Sequence, residues 1–153
     1  VAIRRIDPEQ ITAHTQEYIF EDEDYGVKKA DGAILIIRPL TTAEKESFDE
    51  RMQKFVKMRT HASVKGRKGK GDSVEYSTQV DKPGMMEVIR ERVKAALVGW
   101  KGFEDEDGNA LEYTWENFLV FCETYRSLLD FADDCVDRVY GDVIARLDAH
   151  AKN

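Results

Sequence analysis

The stretch Ala33-Ile34-Leu35-Ile36-Ile37-Arg38-Pro39-Leu40-Thr41-Thr42-Ala43-Glu44 decides the class of fold. Ala33–Ile37 is apolar and rich in β-branched residues. Asp31-Gly32 before it and Pro39 after it cut the run to the length of one buried strand. The pattern then changes within a few residues. Thr41 stands three positions before Glu44, the spacing of a capping box, in which hydroxyl and carboxylate satisfy each other's free backbone N–H groups at a helix start. Phe48, Met52, Phe55 and Val56, then Arg59, recur with a helical period. The spacing predicts a helix from about Thr42 to Arg59. A buried strand running straight into a helix points to an α+β chain.

Upstream, Asp7-Pro8-Glu9-Gln10 reads as a short helix start, with Asp as cap and Pro at the first helical position. Thr15–Phe20 fits either a helix end or a strand, and Glu21-Asp22-Glu23-Asp24 a solvated acidic turn. Downstream, Lys65-Gly66-Arg67-Lys68-Gly69-Lys70-Gly71 has nothing to bury, which predicts a mobile basic loop at about 60–72. Ser73–Val80 suits a strand. Pro83-Gly84 opens a helix with Met85, Ile89, Val93 and Leu97 on one face, and Gly99 is placed to end it. Trp100 to Thr114 resembles a hairpin turning over Asp105-Glu106-Asp107-Gly108-Asn109. Thr114 can cap a third helix that buries Trp115, Phe118, Leu119, Cys122 and Tyr125. Ser127 with Asp130 can start a fourth, running to about Ala149 and facing inward with Leu128, Phe131, Cys135, Val139 and Val143. Gly141 inside it costs about 1 kcal/mol relative to Ala and suggests a kink or a close helix contact. The expectation is one domain over residues 1–153. It has a small antiparallel sheet with hairpins, about four helices, and a helix-rich C-terminal half.

Length and composition bound the function. At 153 residues one core can form without metals or disulfides. No apolar run approaches a membrane span, and Val1–Arg5 carries no export signal. Cys122 and Cys135 are therefore expected as buried thiols in a reducing compartment, the cytoplasm. The net charge of −7 hides a split. Arg38–Lys70 holds ten Lys/Arg against four Asp/Glu, whereas Glu104–Asn153 holds four against thirteen. Such segregation suggests steering toward a partner or toward another copy of the chain.

Tests for chemistry fail one after another. With Gly108 as the sixth residue of a calcium loop, Phe103 and Thr114 fall where oxygen ligands are needed. Lys70 is followed by Gly71, and the preceding segment reads as helix, so the basic run is no phosphate loop. It could attract nucleic acid, but it has no aromatic residue to stack on bases. His14, His61 and His150 are scattered, and the two cysteines lack metal-ligand spacing. No serine sits in a nucleophile turn. The expectation is a non-enzyme with no catalytic residue, metal or cofactor. Trp100, Phe103, Tyr113, Trp115, Phe118, Phe121 and Tyr125 form the densest aromatic group. It reads as core, as an interface patch, or as both. One helix cannot hide Phe118, Phe121, Cys122 and Tyr125 on a narrow stripe, so Phe121 is expected to face outward. Arg67, Lys68, Lys70, Trp100, Phe103, Trp115 and Phe121 are the candidate partner-binding residues.

Two segments resemble the tail assembly chaperones of long-tailed bacteriophages and prophages. The first is Ile36-Ile37-Arg38-Pro39-Leu40-Thr41-Thr42-Ala43-Glu44, similar to that family's strand-into-helix passage. The second joins Val98-Gly99-Trp100-Lys101-Gly102-Phe103, Asp105-Glu106-Asp107-Gly108-Asn109 and Tyr113-Thr114-Trp115-Glu116-Asn117. It resembles a Trp-x-Gly, acidic turn, helix pattern. The basic run between the segments departs from the family. The resemblance implies a non-enzymatic protein that binds the tape-measure protein and tail-tube subunits in the host bacterial cytoplasm and self-associates. The family often has a frameshifted longer form, and Ala151-Lys152-Asn153 could be encoded by a slippery heptamer. Alternatives are a tail-completion or connector component, or a small nucleic-acid-binding module.

Overall fold

The computed structural model describes residues 3, 5–63 and 73–152, with side chains described except at 57–63, 73–80 and 151–152. In chain order the elements are α1 (Pro8–Thr12), β1 (Gln16–Ile19), a 3-10 turn (Lys29–Asp31), β2 (Ile34–Ile37), α2 (Thr42–Gln53), β3 (Val56–Ser63), β4 (Ser73–Val80), α3 (Lys82–Ala96), β5 (Leu97–Lys101), α4 (Trp115–Thr124) and α5 (Leu128–Lys152). The chain is α+β, as its sequence predicts.

β2 is the middle strand of an antiparallel sheet ordered β1-β2-β5. Its alternation decides which face is covered. Leu35 and Ile37 are fully buried, and their neighbours across the ladder are Tyr18 on β1 and Trp100 and Leu97 on β5. All five side chains belong to one core with α3, α4 and α5. The opposite face carries Ile34 and Ile36, bridged diagonally by the Lys101–Glu17 ion pair.

α5 closes that core. Leu128, Ala132, Cys135, Val139 and Val143 repeat at three and four residues and are all fully buried. Phe131, expected among them, is only partly buried. Polar contacts fix the helix against its neighbours. Tyr18 donates to Asp142 at 2.6 Å, and Arg146 donates to the Thr15 carbonyl at 3.1 Å. Arg92 of α3 sits between Asp133 and Asp137 of α5. One Asp133 oxygen lacks a hydrogen bond although Arg92 lies 3.5 Å away, and burial raises its carboxyl pKa. Gly141 makes no close contact, since a Cβ there would meet nothing within 4 Å.

Three expectations are corrected. The helix opened by Thr41 stops at Gln53, and Val56–Ser63 instead forms a full antiparallel ladder with Ser73–Val80. α2 buries no residue completely, so extending it to Arg59 would gain little packing, whereas leaving it gains a ladder. Phe55 leaves the helix to pack on Gly84, where a Cβ would sit 2.3 Å from its ring. Gly99 does not end α3. The helix gives way to β5 at Leu97, and Gly99 lies inside that strand opposite Ile36. Trp100–Thr114 is not a regular hairpin: β5 pairs with β2, and only the Glu104–Ala110 bridge crosses the turn.

Candidate functional site

The aromatic group of the second half converges where β5, the acidic turn and α4 meet. Trp100 stacks on Phe103 with ring centres 4.2 Å apart, and both rings meet Phe121 edge-on at 5.4 and 5.1 Å. The Trp100 indole N–H donates to the Leu111 carbonyl at 2.8 Å, which satisfies its one polar atom inside the core. Tyr113 lies edge-on to Trp100 at 5.4 Å, and burial, then the Glu116 charge, push its hydroxyl pKa up to about 12. Trp115 stacks on Phe118 at 5.3 Å.

These positions revise the candidate surface. Trp100 and Phe103 are buried and offer a partner almost nothing, because their area is spent against β2 and α4. Trp115 and Phe121 are partly buried. Phe121 does not face outward. It fills the gap between Trp100, Phe103 and Tyr125, and Val120 takes the outward position with 61% exposure. Arg67, Lys68 and Lys70 lie outside the described residues.

Sequence reading missed the other half of the site. Phe20, at the end of β1, packs on Phe131 at 5.2 Å and on Tyr125 at 6.4 Å. Tyr25, after the acidic Glu21–Asp24 turn, meets Tyr125 edge-on at 6.1 Å. The only local signal was the alternation Tyr18, Ile19, Phe20, which sends Tyr18 and Phe20 to one face.

The result is a trough in two parts. One, of about 460 Å³, is lined by Phe20, Tyr25, Val27, Phe103, Phe121 and Tyr125, with Asp31 and Glu104 at its edge. The other, of about 480 Å³, is lined by Leu111, Val120, Phe121 and Tyr125 beneath Glu104, Asp105, Glu106 and Asp107. Glu104, Phe121 and Tyr125 belong to both. Asp105 is occupied in its own turn, accepting from the Asp107 and Asn109 N–H groups at 2.9 Å. Glu104, Glu106 and Asp107 form no ion pair among the described residues. The chemistry on offer is an aromatic floor under negative charge that pairs with no cation among the described residues, which suits a cationic, partly apolar guest.

Nucleophiles and metal ligands do not gather here. Burial pushes the thiols of Cys122 and Cys135 up to about 12, so neither is an activated thiolate. Among the described residues no group of three His, Cys, Asp or Glu could hold a metal ion, and no helix is long and apolar enough to cross a membrane.

The chain matches no protein-family model, no curated protein and no solved structure.

Proposed function

We propose that this chain is a non-enzymatic binding protein of the phage tail-assembly-chaperone type. It would hold the tape-measure protein and tail-tube subunits in the host cytoplasm while the tail is built. The observation that carries the reading is the adjacency of the two segments that resemble that family. Ile36 of the first lies opposite Gly99 of the second in the β2–β5 ladder. The first segment continues into the capped start of α2, and the second into the acidic turn and the capped start of α4. Sixty-three positions separate Ile36 from Gly99 in sequence, yet the two segments meet in one unit around Trp100. The trough beside that unit supplies a surface without catalytic groups.

Co-expression with a tape-measure protein from the same genome tests the proposal. The two should purify together at low salt, and the chain should be absent from finished particles. Failure to form a complex at low salt sinks the proposal. Retention in the particle would instead mark a structural tail component.

A further inference from the structure

The acidic turn over the trough and the basic run of the same chain are opposite in charge and equal in number. Glu104, Asp105, Glu106 and Asp107 give four negative charges over the trough, and Lys65, Arg67, Lys68 and Lys70 give four positive charges within six residues. We infer that the trough between Tyr25, Val120, Phe121 and Tyr125 is a self-association site that takes the Lys65–Lys70 segment of a second copy.

Three observations favour this occupant. Tyr25 and Val120 are 41% and 61% exposed beside partly buried Phe121 and Tyr125, so the floor leaves apolar surface and ring faces open. A Lys or Arg carries an apolar stem ending in a charge that is attracted to such faces. The carboxylates of Glu104, Glu106 and Asp107 have no cationic partner among the described residues, so a visiting cation breaks no existing pair there. The segment itself has four cations interleaved with Gly66 and Gly69 and no acidic residue, so its composition complements the acidic rim. A small metal ion fits less well, because the carboxylates rim an aromatic floor and do not converge. The contact joins two different surfaces, so it can build a closed ring or an open chain.

The inference concerns the purified chain alone and stands or falls separately from any tape-measure complex. A charge swap tests it by sedimentation velocity. One variant carries Arg67→Glu, Lys68→Glu and Lys70→Glu. The other carries Glu104→Lys, Glu106→Lys and Asp107→Lys and keeps Asp105, which holds the turn. The natural chain should self-associate at about 50 mM salt and weaken roughly tenfold or more at about 500 mM, as exposed charge contacts are screened. Each variant alone should be monomeric, and mixing the two should restore association, since each then offers what the other lacks. Val120→Lys, which sets a like charge against the incoming cations and leaves both charged partners intact, should also weaken association. A natural chain that stays monomeric at low salt overturns the inference. So do variants that associate unchanged, or a mixture that stays monomeric, which would place the segment on its own trough or on none.

Discussion

Gly102 joins the sheet to the site through a backbone contact that no other residue tolerates. Its φ is +77°, and a Cβ would lie 2.1 Å from the Gly32 carbonyl oxygen, itself part of the turn that leads into β2. Both the left-handed conformation and the clash with fixed backbone oppose a side chain. Gly102→Ala is expected to cost about 2 kcal/mol or more, read as a lower urea midpoint with unchanged slope. Gly141→Ala provides the contrast, since that glycine sits exposed in α5 with open space around it. It should stabilise by about 0.5–1 kcal/mol through helix propensity alone. If the two variants shift the midpoint in the same direction, the Gly102 contact does not hold the turn. Sequence reading noticed Gly141 and passed over Gly102. A glycine inside a helical pattern stands out locally, whereas the need for Gly102 comes from a backbone seventy residues away.

Among the elements, α2 is held by its start more than by its face. It buries no residue fully, and its main anchors are the reciprocal Thr41–Glu44 cap, the Arg51–Glu91 ion pair and the paired guanidinium of Arg38, which donates to both Glu44 oxygens at 3.0 and 2.9 Å. The Arg38 hydrogen bonds, aided by Thr41 and opposed by partial burial, hold the Glu44 carboxyl down to about 2. A carboxyl whose folded pKa is lowered contributes its stability in full above the ordinary carboxylate range. It loses that contribution as pH falls toward the folded value. The helix start should therefore loosen between about pH 4.5 and pH 2. The side chain is 32% exposed, so solvent screening reduces the contribution to about 1 kcal/mol. The Thr41 amide, which donates to Glu44 Oε1 at 3.0 Å, should shift in that window in an NMR titration and lose that shift in Glu44→Gln; an identical Thr41 titration in both proteins would refute the assignment. The start of α2 was legible because capping is local chemistry. Its end was not. The apolar period ran on through Phe55 and Val56, and only pairing with Ser73–Val80, a non-local event, turned those residues into a strand. Gly99 misled for the same reason, since a helix-ending glycine and a mid-strand glycine look alike until β2 is placed beside it.

Across the whole molecule, the sheet, α3, α4 and α5 share one core, and Cys135 lies at its centre with no exposure. That the C-terminal helices and the central strand would build this core was readable from periodicity. The joining of Phe20 and Tyr25 to the aromatic group was not, because nothing local pairs the N-terminal turn with α4 and α5. A core continuous across these elements has a consequence for the two thiols. Burial pushes both up to about 12, and alkylation requires the thiolate, so both should react slowly in the folded chain. They differ in exposure: Cys122 is partly buried on α4, and Cys135 is fully buried in the core on α5. Cys122 can become accessible when α4 alone lifts away, whereas Cys135 requires the core itself to open. Labelling with iodoacetamide, read by mass spectrometry in rising urea, should modify Cys122 first with weak denaturant dependence. Cys135 should follow with the full slope of global unfolding. A Cys135 that labels as early as Cys122 would mean that α5 detaches on its own. The 25 residues of that helix would then be an appendage to the sheet and not the element that completes its core.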